Sequence, residues 1–505
     1  METFAAALSI VFSLQGIACI AAGTLFGILC GAMPGLSCCM ALTIMLPFTF
    51  SLEGSNGILM LLGIFCGAIY GGSITAILIN TPGTANSAAT CLDGYPMAHK
   101  MKQPGRALSI STTASTFGGI FSSVMLLFTA PMLAKVALNF GVAEYFALGV
   151  FGISIVTAGS SKSIIKGLMG AVMGLLMGTV GMDATSATFR YTFDTTYLIS
   201  GIAFVPLLIG LFAFSQCLVS AEEELSAMAT SSKTKLTQIL PSKSDIKRTA
   251  PTILMSSVIG TFIGAIPGTG GDIASWIGYN EAKRWSKHPE EFGNGAPEGI
   301  AAPEAANNAV SGGALIPLLT LGIPGDSATA IMLGALMMQG ITPGPLLFST
   351  QGVKVYTIIF GLFVANICMC LLGFGGIRIF AKISNLPTKW LAPIVFVFCA
   401  VGTFALNNNI YDVYFMIVAG IVGYFLLKLD FCMPPIILGL ILGSTIENNL
   451  RRTIVLADGH LASYMMGRPI AVVLLIIAVI SLFSPLLIFV FQKRRAEKAA
   501  AKAAE

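Results

Sequence analysis

The stretch Tyr70 to Met97, YGGSITAILINTPGTANSAATCLDGYPM, decides how the rest of the chain is read. It begins as the end of an apolar helix and breaks at Thr81-Pro82-Gly83. It then runs through small Thr, Asn, Ser and Ala residues to Asp93-Gly94-Tyr95-Pro96. Such a break is costly in lipid, where freed backbone groups find no water, and is tolerated where protein shields it or a wet cavity lies beside it. A helix restarting after it presents unpaired N–H groups and the positive end of its dipole. Broken helices of this kind hold anionic substrates near the bilayer midplane in transporters.

The composition around this stretch is that of a membrane protein. Of 505 residues, 55% are hydrophobic and 10% charged, with a mean hydropathy of +0.85, whereas a soluble domain carries roughly 25% charge. Many runs approach the roughly 20 apolar residues that cross a bilayer. The net charge of +5 sits in short loops and the C-terminal tail, so it speaks to topology and not to nucleic-acid binding. Residues 1–14 lack the basic start and small-residue cleavage site of a signal peptide, and the N-terminus is expected to be retained. The eleven cysteines are scattered, with no C-x-x-C pair, and His99, His288 and His460 lie far apart. This argues against disulfide and metal frameworks, and no cofactor is expected.

The expected fold is an all-α polytopic membrane protein with about 10–14 apolar segments, among them Pro-Gly-broken or re-entrant helices. Four matches recur in order in two halves. Gly27-Ile-Leu-Cys-Gly31-Ala-Met-Pro34-Gly35 resembles Gly260-Thr-Phe-Ile-Gly264-Ala-Ile-Pro267-Gly268 without a gap. Gly71-Gly72 to Pro82-Gly83 matches Gly312-Gly313 to Pro324-Gly325 with one residue inserted. Leu133-Ala134-Lys135 pairs with Phe380-Ala381-Lys382, and Pro206 to Leu211 with Pro435 to Leu440. Paired, Gly/Pro-interrupted segments in two halves are a transporter signature. The expected organisation is a transmembrane repeat over 1–220, a polar cytoplasmic linker over 221–249 and a second repeat over 250–465. A final transmembrane helix and basic cytoplasmic tail fill 466–505.

Loop charge orients the halves through the positive-inside rule. The loop after the first Pro-Gly motif, Ser51 to Gly57, has no basic residue, whereas its counterpart carries Lys283, Arg284 and Lys287. After the second motif the bias reverses, with Lys100, Lys102 and Arg106 in the first half and no basic residue between Gly340 and Gly352. The repeats are therefore expected to be inverted. Arg451 and Arg452 run against this scheme, which places them outside.

Inversion would bring four breaks together: Pro34-Gly35, Pro82-Gly83, Pro267-Gly268 and Pro324-Gly325. Around them lie Ser37, Asn80, Thr81, Thr84, Asn86, Ser87, Thr269, Ser327 and Thr329. Hydroxyls, amides and helix N-termini suit carboxylate recognition, and these residues are the expected substrate site. Gly27, Gly31, Gly260 and Gly264 are read instead as close-packing positions. Ionisable groups at membrane depth are expensive unless they function. Asp272, Glu304 and Asp326 are therefore the ion-coupling candidates, with Asn307 and Asn308 as weaker ones, while Asp93 is read as a helix-end cap near a surface. No catalytic or metal-binding residue is assigned.

Two stretches carry a resemblance. Tyr70-Gly-Gly-Ser…Asn80-Thr-Pro-Gly83…Leu92-Asp-Gly-Tyr-Pro-Met97 is one. The other is Pro303-Glu-Ala-Ala-Asn-Asn308…Gly312-Gly-Ala-Leu-Ile-Pro317…Gly322-Ile-Pro-Gly325…Thr342-Pro-Gly-Pro-Leu-Leu-Phe348. Both resemble the large membrane subunit (TctA-like permease) of the tripartite tricarboxylate transporter family, over about residues 20 to 470. The resemblance implies a multi-pass permease of the bacterial inner membrane that imports small, citrate-like di- and tricarboxylates. It also implies a periplasmic binding protein and a small membrane subunit of about four spans as partners, and a Na+ or H+ gradient as the drive. Two departures stand out. Ser37 takes the last place of a motif that usually reads Pro-Gly-Leu-Gly, and Thr84 stands where an acid often follows the break. Two other readings, an ion channel and an intramembrane aspartyl protease using Asp272 and Asp412, have weaker support. A single chain with two repeats supplies a selectivity ring poorly, and position 269 is Thr where the protease motif needs Gly. No Gly-x-x-x-x-Gly-Lys-[Ser/Thr] phosphate loop occurs.

Overall fold

The computed structural model describes residues 2–33, 35–160, 163–183, 186–223, 240–383 and 391–482. Helices follow one another along the chain as the apolar runs predict. They are α1 (Glu2–Val11), α2 (Leu14–Gly31), α3 (Cys38–Phe50), α4 (Asn56–Ile79), α5 (Cys91–His99), α6 (Pro104–Ala137), α7 (Val142–Ser160) and α8 (Ile164–Gly178). A two-residue hairpin, β1 (Gly181–Met182) with β2 (Phe189–Arg190), separates α8 from α9 (Phe204–Leu208), which runs through a π-helical turn into α10 (Ser215–Glu223). The second half holds α11 (Lys243–Gly264), α12 (Gly270–Trp285), α13 (Pro297–Leu321), α14 (Ser327–Met338), α15 (Leu347–Thr350), α16 (Gly352–Ile383), α17 (Leu391–Asn407), α18 (Ile410–Lys428), α19 (Met433–Leu456) and α20 (Leu461–Met466). A helix over Pro469–Leu482, α21, follows. Among the described residues six helices are long and apolar enough to cross a membrane, and seven shorter apolar helices accompany them. The chain is an all-α polytopic membrane protein.

Two compact units form, and neither coincides with a sequence half. One comprises Met1–Leu138 and Ala203–Phe425, the other Asn139–Ile202 and Leu426–Glu505. In the first unit, α4 and α13 are the enclosed helices, buried along nearly their whole length. Glycines let α2 lie backbone to backbone on α4. A Cβ on Gly27 would collide with the Ile64 carbonyl, and one on Gly31 with that of Ala68. On the facing helix, Gly67 meets Thr24 and Gly71 meets Ile28 in the same way. Without water to expel from lipid-facing surfaces, such close small-residue packing is what binds membrane helices. The α11–α13 pair repeats the pattern: Gly260 faces Ala306, Gly264 faces Val310 and Gly313 faces Thr261.

These contacts set a register. Gly71 meets the carbonyl of Ile28, and Gly313 that of Thr261, the residue matching Ile28 in the ungapped alignment of the first motif. Gly71 therefore pairs with Gly313, Pro82 falls on Pro324 with no inserted residue, and Gly83 and Gly325 meet the carbonyls of Gly31 and Gly264. The expected one-residue insertion is corrected: it came from aligning two Gly-Gly pairs letter by letter.

At one end of this unit Arg106 pairs with Asp245 at 2.5 Å, and Arg248 with Glu291 at 2.6 Å and Glu298 at 2.8 Å. Burial pushes the Asp245 carboxyl up, but hydrogen bonds from Arg106 and Ser242 outweigh it and hold the group below the ordinary carboxylate range. The loops after α5 and α12 and the start of α11 therefore share an end. The loops after α3 and α14 share another, where Gly57 packs against Gln339.

In the second unit α19 crosses α8 through Gly174 and Gly439, which face the carbonyls of Ile436 and Ala171. Arg451 pairs with Asp183 at 2.9 Å and with Glu447 at 2.5 Å, and Arg190 with the same two acids at 3.2 and 2.7 Å. Two cations and two anions cancel, and the hairpin is pinned to α19.

Candidate functional site

Both enclosed helices stop the same way. Beyond α4, Asn80 adopts the left-handed conformation (φ 55°), and beyond α13, Gly322 does so (φ 73°). Such a residue at C′ ends a helix without leaving its last carbonyls stranded, and a proline two residues later prevents resumption. The first motifs are twinned as well, with φ of 89° at Gly35 and 83° at Gly268. Pro34 lies outside the described residues. In the second half the two breaks join directly, the Gly268 N–H donating to the Gly325 carbonyl at 2.7 Å. In the first half the Gly83 N–H donates to the Gly72 carbonyl at 3.2 Å.

The turns after the breaks differ in one informative way. Ser87 Oγ donates to the Thr84 carbonyl at 2.9 Å, and Thr329 Oγ1 to the Asp326 carbonyl at 3.0 Å. Asp326 also closes a capping box, its Oδ1 accepting the Thr329 N–H at 2.8 Å and the Thr329 hydroxyl at 2.7 Å. Its twin Thr84 does no such work: its Oγ1 is buried without a hydrogen-bond partner, facing Gly72. A buried hydroxyl without a partner costs about 1–3 kcal/mol.

The two halves meet at Asn86. Its carbonyl accepts Asn307 Nδ2 at 3.1 Å, and its side chain lies over Gly271 at the start of α12. A Cβ on the neighbouring Gly270 would stand 2.8 Å from Asp272 Oδ1 and 3.8 Å from the Asp326 Cβ. The half-one turn, the α12 start and both aspartates are therefore neighbours. Ser327 opens α14 beside them, half-buried.

Other expected residues are spent locally. Ser37 caps α3 through the Met40 N–H at 3.1 Å. Thr269 Oγ1 donates to the Ile263 and Ile266 carbonyls at 2.6 and 2.7 Å, finishing α11. Asn80, Thr81 and Pro82 are exposed at the break itself, whereas Gly83, Pro267, Pro324 and Gly325 are buried backbone positions.

Glu304 lies deep on α13, fully buried. Thr90 Oγ1 donates to its Oε1 at 2.5 Å and Ser115 Oγ to its Oε2 at 3.0 Å. Ser111 and Asn307 lie beside it. Asn308 Nδ2 donates to the Glu304 carbonyl at 3.0 Å and to Asn307 Oδ1 at 2.6 Å, which ties both asparagines to this cluster. Thr90 and Ser115 escaped the sequence reading, since nothing local marks them as partners of a residue some 200 positions away. Asp93 is buried and ties two segments together: its Oδ1 accepts the N–H groups of Gly293, Gly295 and Ala296 at 2.8–2.9 Å, and its Oδ2 the Tyr279 hydroxyl at 2.9 Å. These backbone donors all lie in the turn before α13, so Asp93 anchors that turn and does not cap a helix end.

These features define a multi-pass membrane protein whose paired broken helices converge on a polar, acid-bearing centre. The profile of the tripartite tricarboxylate transporter TctA family matches residues 17–438, and the chain belongs to that family, the large subunits of tripartite carboxylate transporters. It is 39% identical over 473 residues to an uncharacterized 52.8 kDa protein in the TAR-I ttuC' 3' region of Agrobacterium vitis, covering 94% of this chain and 93% of that one. An uncharacterized protein in the TAR-II ttuC' 3' region of the same organism is 39% identical over 236 residues, 46% of this chain and 97% of that one. No solved structure matches.

Proposed function

We propose that the chain is the permease of a secondary transporter that imports a small, citrate-like di- or tricarboxylate across the bacterial inner membrane. A periplasmic binding protein delivers the substrate, a small membrane subunit completes the complex, and a Na+ or H+ gradient drives uptake. The observation that carries this reading, beyond the family, is the pair of post-break turns. One holds an unsatisfied buried hydroxyl at Thr84, and the other opens α14 with its positive dipole end beside Ser327. Dipoles and neutral donors of this kind stabilise a carboxylate without a fixed cation. Asn86 and Ser327 would contact substrate, and Asp272 and Asp326 would border it where a co-transported cation offsets the charge.

The same reading takes the chain as an inverted repeat over 1–220 and 250–465. In its support, equivalent glycines make equivalent contacts, and the loops after α3 and α12 lie at opposite ends of their unit. Arg451, the outlier of the charge scheme, is neutralised by Asp183 and Glu447 and so counts little towards orientation.

The test is uptake of labelled citrate and a panel of di- and aromatic carboxylates into proteoliposomes holding all three components under an imposed Na+ or H+ gradient. Gradient-dependent uptake that Asp272→Asn and Ser327→Ala abolish is the expected result. Uptake surviving both changes would remove the site, and no uptake under any gradient would remove the function.

A further inference from the structure

The register set by the glycines shows what the fold requires at the position of Glu304. With Ile64 on Ala306, Ala68 on Val310 and Gly71 on Gly313, Glu304 falls on Leu62, Asn307 on Phe65 and Asn308 on Cys66. The surroundings are twinned as well: Glu304 packs towards α6, and Leu62 packs against Gly361 of α16. One seam is filled by Leu, Phe and Cys, the other by a carboxyl ringed by Thr90, Ser111, Ser115 and Asn307. The packing is thus satisfied by apolar residues in one copy. A carboxyl kept in the other, at a depth where an idle charge is expensive, has a use beyond packing.

We infer that Glu304 is the proton-carrying group of the transport cycle and that the coupling ion at this position is H+. This rests on the transporter reading above and names its coupling chemistry. In each cycle the Glu304 carboxylate takes up one proton as substrate loads from outside and returns it on the inner side. No other bond changes, and one positive charge travels with the substrate. The oxygen separations of 2.5 and 3.0 Å to Thr90 and Ser115 are hydrogen-bond distances. Hydroxyls can donate to the carboxylate and, by rotating, accept from the protonated carboxyl, so both proton states of Glu304 can stay hydrogen-bonded. Further hydroxyls lie beyond the carboxyl: Ser111 is beside it, Ser73 Oγ lies 2.7 Å from Ser111 Oγ, and one turn along, the Tyr70 hydroxyl lies 2.7 Å from Thr112 Oγ1.

Among the described residues, Tyr70 from α4 and Cys91 from α5 are ionisable groups near Glu304, and α6 turns the hydroxyl of Ser115 to it. Of the other charged or titratable groups on the surrounding helices, Arg106 is held by Asp245, Arg248 by Glu291 and Glu298, and Asp93 by Tyr279 and the turn before α13. Asp272 and Asp326 lie at the breaks.

The assignment is tested in proteoliposomes carrying the whole three-component system. Two quantities are read: substrate accumulation driven by a pH gradient alone, and substrate-for-substrate exchange at equal pH. The wild type is expected to do both, and Glu304→Gln to keep exchange and lose accumulation. Glu304→Gln accumulating under a pH gradient overturns the assignment, as does a wild type that accumulates only with a Na+ gradient. A folded Glu304→Gln that also loses exchange overturns it too, because the residue then serves binding. A wild type that neither accumulates nor exchanges any carboxylate removes the transporter reading, and the assignment with it. Should Glu304→Gln fail to assemble, Ser115→Ala keeps the carboxyl and removes one donor. A displaced midpoint in the uptake–pH profile then supports the assignment, and an unmoved midpoint overturns it.

Discussion

Thr84 and Asp326 occupy equivalent places after their breaks, yet one hydroxyl is unsatisfied and the other side chain is fully engaged. This difference makes a prediction at the scale of the residue. Thr84→Val removes a buried unsatisfied hydroxyl and should leave the melting temperature in detergent unchanged or slightly higher, while raising the substrate concentration needed for half-maximal uptake. Asp93 gives the opposite expectation. Its carboxylate serves three backbone donors and Tyr279, and Asp93→Asn turns an amide towards donors. The loss should be about 2–3 kcal/mol, read as a lowered melting temperature. Sequence alone suggested a helix-end cap for Asp93 and not its hold on the turn before α13, because its partners at Gly293–Ala296 reach it only through the tertiary fold. Glu304 was legible as an anomaly, a carboxyl in an apolar helix, whereas the hydroxyls of Thr90 and Ser115 that receive it were not.

Among elements, the glycine-lined crossings decide stability. Gly83→Ala and Gly325→Ala each drive a Cβ towards a carbonyl, of Gly31 and Gly264 respectively. Overpacking of this kind costs about 1–3 kcal/mol, and matching losses of thermal stability in the two variants are expected. Pairing across helix starts adds a pH dependence. Asp245 titrates below its ordinary value of 3.8, so its stabilising contribution is present above that value and lost as pH falls through the folded one. Asp245→Asn should therefore flatten the fall in melting temperature below about pH 4, whereas parallel acid profiles in the variant and the wild type would contradict the pairing. Spacing of Gly, Pro and apolar runs made the broken helices readable. It misplaced the second match by one residue, because contact with a facing carbonyl, and not the Gly-Gly letters, sets the register. Caps such as those of Ser37 and Thr269 looked like ligands because hydroxyls after a break serve either purpose.

For the whole molecule, the halves seen in the sequence and the compact units of the structure cut the chain differently. Residues 1–138 combine with 203–425, and 139–202 with the C-terminal part. Chain order shows matching motifs but not which helices pack together, so the paired motifs were legible and the units were not. Orientation is open to direct test with single cysteines in a background lacking the eleven native ones. A membrane-impermeant maleimide added to sealed cells should label Ser51→Cys, and should reach Ser286→Cys only after permeabilisation. Labelling of both from the same side would contradict the inverted arrangement.

The central claim, that a carboxylate binds where the two post-break turns meet, is tested most directly by substrate protection. Asn86→Cys and Ser327→Cys are alkylated in the assembled transporter with and without citrate or the carboxylate it imports, with the exposed Ser349→Cys on α15 as control. The account predicts that substrate slows alkylation at Asn86→Cys and Ser327→Cys and leaves Ser349→Cys unchanged. Saturable uptake accompanied by unaltered alkylation at both would contradict it.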